Sequence, residues 1–165
     1  MRSLNQLLSD WRQSEAAMKK LQDNTPRIVG NESVKAIKEN FKLSGYDTGS
    51  GVTGWKERKE STNKSYDSRH GVKGSVFNSE NPLLIQTHNL YNSIRYQAGP
   101  TVVNIGVDLG LIPYAKAINE GDDKTGMPAR KYIPANNEPP NPKILKRILK
   151  KITFERDRAM GLFKK

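Results

Sequence analysis

The chain has 165 residues, no cysteine and only two histidines, His70 and His88. The first absence excludes disulfides, thiol catalysis and cysteine-based zinc sites. The two histidines lie 18 positions apart with no H-E-x-x-H pattern, so no histidine-based metal site is expected. No apolar run approaches the ~20 residues of a membrane span. The opening stretch MRSLNQLLSDW lacks the apolar centre of a secretion signal, and synthesis in the cytoplasm is expected. There is no internal repeat and no low-complexity tract. A serine nucleophile has no G-x-S-x-G to sit on. The acidic residues are dispersed, and Asp122-Asp123 falls in a turn beside Lys124. Gly49 to Gly54 matches G-x-G-x-x-G in letters, but a dinucleotide site needs a strand before it and a helix after it. Here a helix precedes and a polar loop follows. The expectation is a protein that is not an enzyme and has no cofactor and no metal.

What is present is charge, unevenly spread. The net charge is +11, and residues 139–165 carry nine basic against two acidic side chains, while residues 83–138 balance at five and five. A near-neutral body with a basic tail points to a local anionic partner. Hydrophobic residues make up 35% and mean hydropathy is −0.75, low enough that arms or loops are expected alongside one core-bearing domain.

Leu4, Leu7, Leu8, Trp11, Met18 and Leu21 recur at three- and four-residue steps and predict an amphipathic helix. It reads as packed on the body, with a docking arm as the alternative. Asp23-Asn24-Thr25-Pro26 reads as a stop and a new start. The second helix carries Ile28, Val34, Ile37 and Phe41 on one face and ends near Ser44-Gly45, with Gly30 a place to bend. Residues 46–82 are rich in Gly, Ser, Asn and charge and predict a long excursion loop, with a short hairpin around Gly71 to Phe77. Asn81 to Ile133 holds most of the β-branched and aromatic residues. Leu83 to Gln86 predicts a strand, and Leu90, Tyr91 and Ile94 a short helix. Arg95–Ala98 and Thr101–Val107 flank Gly99-Pro100 as a hairpin. Pro113 starts a helix ending at Gly121, and Met127 to Ile133 reads as a closing strand. Pro139-Pro140-Asn141-Pro142 leads into a final helix with Ile144, Ile148 and Ile152 on one stripe and Lys146, Lys150 and Lys151 around it.

Tyr114-Ala115-Lys116-Ala117-Ile118-Asn119-Glu120-Gly121, then Met127-Pro128-Ala129-Arg130-Lys131-Tyr132-Ile133, resembles the "YA…G…PaR-aromatic-aliphatic" signature of the phage virion morphogenesis (tail completion) family. Upstream, Asn40-Phe41 with Gly45, Trp55-Lys56, and Thr87-His88-Asn89-Leu90-Tyr91-Asn92-Ser93-Ile94 are similar to that family's motifs in order. The resemblance covers roughly Val34 to Ile133. Asn89 stands where a glycine is usual, and Ile118 where a histidine is common. The resemblance implies a virion protein at the head–tail neck or top of the tail, assembled in the host cytoplasm. It implies a ring of copies of itself, six-fold favoured and twelve-fold the alternative, touching other neck and tail proteins.

The expected fold is α+β: a small, mostly antiparallel sheet packed by N-terminal helices, the long loop 46–82, and a basic C-terminal helix. The expected division is a domain over residues 1–138 and a proline-linked helix over 139–165. Trp55, Tyr114, Gly121, Pro128, Arg130 and Tyr132 are candidates for structural packing or an interface. Arg130 stays open between a bond within the protomer, a bond across an interface, and DNA. Ile144, Ile148 and Ile152 are the expected assembly stripe, and Lys146, Lys150 and Lys151 are expected to face DNA or an acidic partner. The alternative to a structural ring is a stand-alone basic nucleic-acid-binding module. That reading has few aromatics interleaved with the basic run to stack bases.

Overall fold

The computed structural model describes residues 3–57, 89–135, 138 and 141–161. The predicted strand at Leu83–Gln86, the hairpin at Gly71–Phe77 and both histidines lie outside the described residues. In order, the elements are α1 (Leu4–Lys42), β1 (Gly45–Asp47), β2 (Val52–Gly54), α2 (Asn89–Ser93), β3 (Ile94–Ala98), β4 (Val103–Val107), α3 (Ala115–Glu120) and α4 (Pro142–Ala159). The fold is α+β, as expected. Among the described residues its strands form two separate two-stranded sheets, β1–β2 and β3–β4, where a single sheet was expected. Among the described residues no helix is long and apolar enough to cross a membrane. By packing, the chain divides into two compact units. One comprises Met1–Val34, Tyr96–Ile105 and Pro142–Lys165, the other Lys35–Arg95 and Gly106–Asn141.

In the first unit, α1 passes straight through the predicted stop. Pro26 lies inside the helix, and its missing N–H leaves the Gln22 carbonyl without the usual helical donor. The residues before it bond back to the preceding turn: Thr25 Oγ1 donates to the Leu21 carbonyl and Asn24 Nδ2 to the Lys20 carbonyl, each at 2.9 Å. Packing on the far side of the proline accounts for the continuity. A Cβ on Gly30 would sit 2.2 Å from Cδ2 of Tyr96, so the bare backbone there seats an aromatic ring against the helix. Glu32 pairs with Arg147 of α4 at 3.7 Å. Gly30 is thus a contact point within the helix, where the sequence suggested a bend.

In the second unit, Ser44 closes α1 in the left-handed region at φ 45°, and the chain turns at once into the β1–β2 hairpin, with Gly45↔Gly54, Tyr46↔Thr53 and Asp47↔Val52 paired antiparallel. The Gly49–Gly54 stretch supplies the turn and second strand. Thr48 N donates to the Gly51 carbonyl at 2.9 Å and Gly49 N to Asp47 Oδ1 at 2.8 Å. The first part of the expected long loop is therefore a hairpin that returns to α1 through Trp55 N and the Ser44 carbonyl at 2.8 Å.

Candidate functional site

Four aromatic side chains build the core of the second unit. Phe41, fully buried, meets Trp55 edge-on at 5.5 Å, Tyr91 edge-on at 5.8 Å and Tyr132 at 5.2 Å and a 57° tilt. Edge-to-face contacts of this kind add roughly 0.5–1.5 kcal/mol each to plain burial. Leu90 of the short α2 is also buried, and so is Ile94, which opens β3 where the sequence placed it in the helix.

Around this core, residues 130–133 form an extended strap. The expected strand at Met127–Ile133 reduces to one isolated bridge, Asp122↔Met127. Beyond it the backbone polar groups are bonded by side chains and by a carbonyl of α3 in place of a neighbouring strand. Arg130 N donates to the Ile118 carbonyl at 2.8 Å. Trp55 Nε1 donates to the Lys131 carbonyl at 2.7 Å. Asn119 Oδ1 accepts from Tyr132 N at 2.9 Å and Ile133 N at 3.1 Å. Asn40 Nδ2 donates to the Tyr132 carbonyl at 3.0 Å, while its Oδ1 accepts from Asp47 N at 3.0 Å. A buried segment without a strand partner needs such donors and acceptors to avoid unpaid desolvation.

The sequence candidates fall into place unequally. Tyr132 is buried, and its hydroxyl donates to the Ala115 carbonyl at 3.1 Å. Burial pushes its phenol up to about 12, with the Tyr114 phenol adding to the rise. Arg130 is buried, and its guanidinium donates to the carbonyls of Lys56 at 3.0 Å and Glu57 at 3.4 Å. Of its three readings, the bond within the protomer is the one present. Burial lowers its pKa from the usual arginine value. Gly121 caps α3 at φ 85°, and a Cβ there would lie 3.0 Å from Ala129 N. Both the left-handed backbone and the close approach of the strap require glycine. Pro128 follows the bridge at the start of the strap. Tyr114 differs: it remains 43% exposed, and its neighbours Ile112 and Ala115 take the buried positions. Near it Leu111 is 69% exposed. Tyr114 therefore does not pack as the other motif aromatics do.

Asn40 and Asn119 carry much of the strap yet stand out little in the sequence. The one signal is Asn40 itself, a polar residue on the helical face that otherwise presents Ile37 and Phe41.

The second candidate is α4, in the first unit. It spans Pro142–Ala159, beginning at the last proline of the run from which the sequence predicts it. Ile148 is buried inside the protomer, with Ile144 and Ile152 half-buried. This corrects the expected assembly stripe: its central side chain is already used within one chain. The exposed ridge is the adjacent one, with Leu145 at 41% and Leu149 at 62%. Lys146 and Lys150 are exposed. Lys151 is engaged with Glu155 at 2.8 Å and sits over the Phe154 ring at 5.0 Å. That hydrogen bond holds the Glu155 carboxyl below its usual value. Among the described residues, no group of three or more His, Asp or Glu is placed to hold a metal ion.

Comparison with protein-family models, curated proteins and solved structures finds no match. The resemblance to tail-completion proteins thus rests on the motif residues alone.

Proposed function

We propose that the protein is a non-enzymatic structural component of a tailed bacteriophage, a ring-forming tail-completion or neck protein that joins tail to head around the DNA channel. One observation carries the reading. The motif groups that resemble the family, far apart in sequence, meet in a single bonded nucleus: Asn40 and Trp55 hold the backbone of Lys131 and Tyr132, and Arg130 holds that of Lys56 and Glu57. Motifs matched by chance have no reason to converge in this way. In this reading the nucleus is a rigid scaffold, and recognition lies on the exposed helices of the other unit. Copies of the chain are the main partner, six-fold favoured, with other neck and tail proteins above and below.

The exposed Lys146 and Lys150 favour a second, compatible role as non-specific phosphate contacts toward passing DNA. Electron microscopy of the purified chain, with its mass in solution, tests the first role. Closed rings of one defined copy number are the expected result. A protein that stays single-copy at high concentration yet binds DNA tightly at low salt would replace this reading with the stand-alone nucleic-acid-binding module.

A further inference from the structure

Apart from Leu21, the amphipathic stripe that predicts the first helix is not the face this chain uses to pack α4. The groove between α1 and α4 is lined on the α1 side by Ala17, Lys20, Leu21, Asn24 and Ile28, and on the α4 side by Glu155 and Arg158. Farther along, Gln6, Gln13 and Ser14 lie beside Met160 and Gly161. The large apolar residues project about 140° away around the helix. Leu4 is 71% exposed, Leu8 49%, Trp11 75% and Met18 44%. With Leu7 they expose on the order of 500 Å² of apolar surface, which on soluble proteins marks a contact site.

The same unit carries a second ridge, exposed at Leu145, Leu149 and Arg156 and half-buried at Ile152. On α4, Leu145, Leu149, Ile152 and Arg156 recur with steps of four, three and four residues. Leu4, Leu8, Trp11 and Glu15 on α1 have the same steps. Laid side by side in parallel, the two series put leucine on leucine twice, Trp11 on Ile152, and Glu15 beside Arg156. Over those eleven steps both ridges run about 16 Å. Both residues of the charged pair are exposed. Among the described residues the Arg156 guanidinium pairs with its neighbour Asp157, at 2.6 Å, and keeps donors to spare. An antiparallel arrangement would instead set Glu15 against an apolar leucine.

We infer that the N-terminal half of α1 docks on a second copy of this chain, parallel to its α4, with Trp11 packed over the Leu149–Ile152 ridge and Glu15 paired to Arg156. The two patches are different, so the contact is head-to-tail, and repetition closes a ring or extends a filament. One such contact is smaller than the ~800 Å² per partner of a standard interface. Closure, which gives every copy two contacts, is then what makes the assembly stable. This contact rests on the ring reading above and supplies the surfaces it needs.

A chain without native cysteine permits a clean cross-linking test. Full-length Glu15→Cys, Arg156→Cys and the double variant are treated with a short bis-maleimide. A cross-linked dimer from the mixture of the two single variants, none from either alone, and a ladder of multimers from the double variant are expected. Dimers from Glu15→Cys alone would mean that α1 pairs with α1, and would overturn the inference. Rings visible by microscopy with no cross-link across 15 and 156 would overturn it too, while leaving the ring reading standing. A single-copy mass at every concentration would remove both. A charge exchange checks the register: Glu15→Arg or Arg156→Glu should each lose assembly, and the two together should regain it. Loss without regain would contradict the parallel pairing.

Discussion

The chain's two tryptophans sit in opposite surroundings. Trp55 is 8% exposed, its indole N–H is bonded to the Lys131 carbonyl and its ring lies edge-on against Phe41. Trp11 is 75% exposed on an apolar stripe left open among the described residues. One residue type thus marks both a buried, bonded core and an exposed apolar stripe. In the second unit the strap's backbone polar atoms find partners among Asn40, Asn119 and Trp55. In the first, Leu4, Trp11, Leu145 and Leu149 are exposed, at about 25 cal/mol per Å² of burial forgone.

The largest effect expected from breaking this contrast is at Trp55. Trp55→Ala removes a buried ring and a buried hydrogen bond and should cost roughly 3–5 kcal/mol, read by denaturant unfolding of the unassembled chain. Trp11→Ala in the same measurement should cost almost nothing. An unchanged melt for Trp55→Ala would place the indole in a binding role.

Next in size is the response to alkaline pH. Tyr132 ionises near 10 in the unfolded chain and is pushed up to about 12 in the fold by burial. Burial of the neutral phenol therefore stabilises fully below pH 10, and that contribution is lost as pH rises from 10 through 12. The loss is at most about 2–3 kcal/mol. Tyr132→Phe should flatten that part of the pH profile, and a profile identical to the parent's would show that another group carries it.

Gly30→Ala sets two local effects against each other. Alanine gains up to about 1 kcal/mol of helix propensity, but its methyl would meet the Tyr96 ring at 2.2–2.5 Å, an overlap that costs about 1–3 kcal/mol in a packed site. A net loss in melting temperature is expected, and a gain would show that the ring moves aside freely. The smallest change in stability belongs to Lys146 and Lys150 replaced together by Gln, within about 0.5 kcal/mol. Its effect should appear in the salt dependence of DNA binding, whose slope falls by about one unit per lost phosphate contact. An unaltered slope would leave these lysines as a solubilising face.

The parts legible in sequence were those with local causes. Gly99-Pro100 as a turn dipeptide before the β-branched run Thr101–Val107 pointed to the β3–β4 hairpin, Gly121 to the end of α3, and the apolar spacing after Pro142 to α4. Illegible parts depended on distant residues. The stop signals at Asp23–Pro26 are genuine locally, and Asn24 and Thr25 do bond to backbone carbonyls, but those bonds fall within a helix that Tyr96 and Arg147 hold on its far side. The strap read as a strand because its residue types suit one, while its partners are side chains such as Asn40, 92 positions away. For α4 the sequence showed a wide apolar band, and only packing could tell that Ile148 faces inward and Leu149 outward.

The most direct test of the contrast is acrylamide quenching of tryptophan fluorescence in two single-tryptophan variants, Trp55→Phe and Trp11→Phe, across the concentration range of assembly. In Trp55→Phe, which keeps Trp11, quenching should be strong in the single-copy state and fall as copies associate. In Trp11→Phe, which keeps Trp55, it should be weak and unchanged throughout. Trp11 quenched as freely in the assembled state as in the isolated chain would contradict the account.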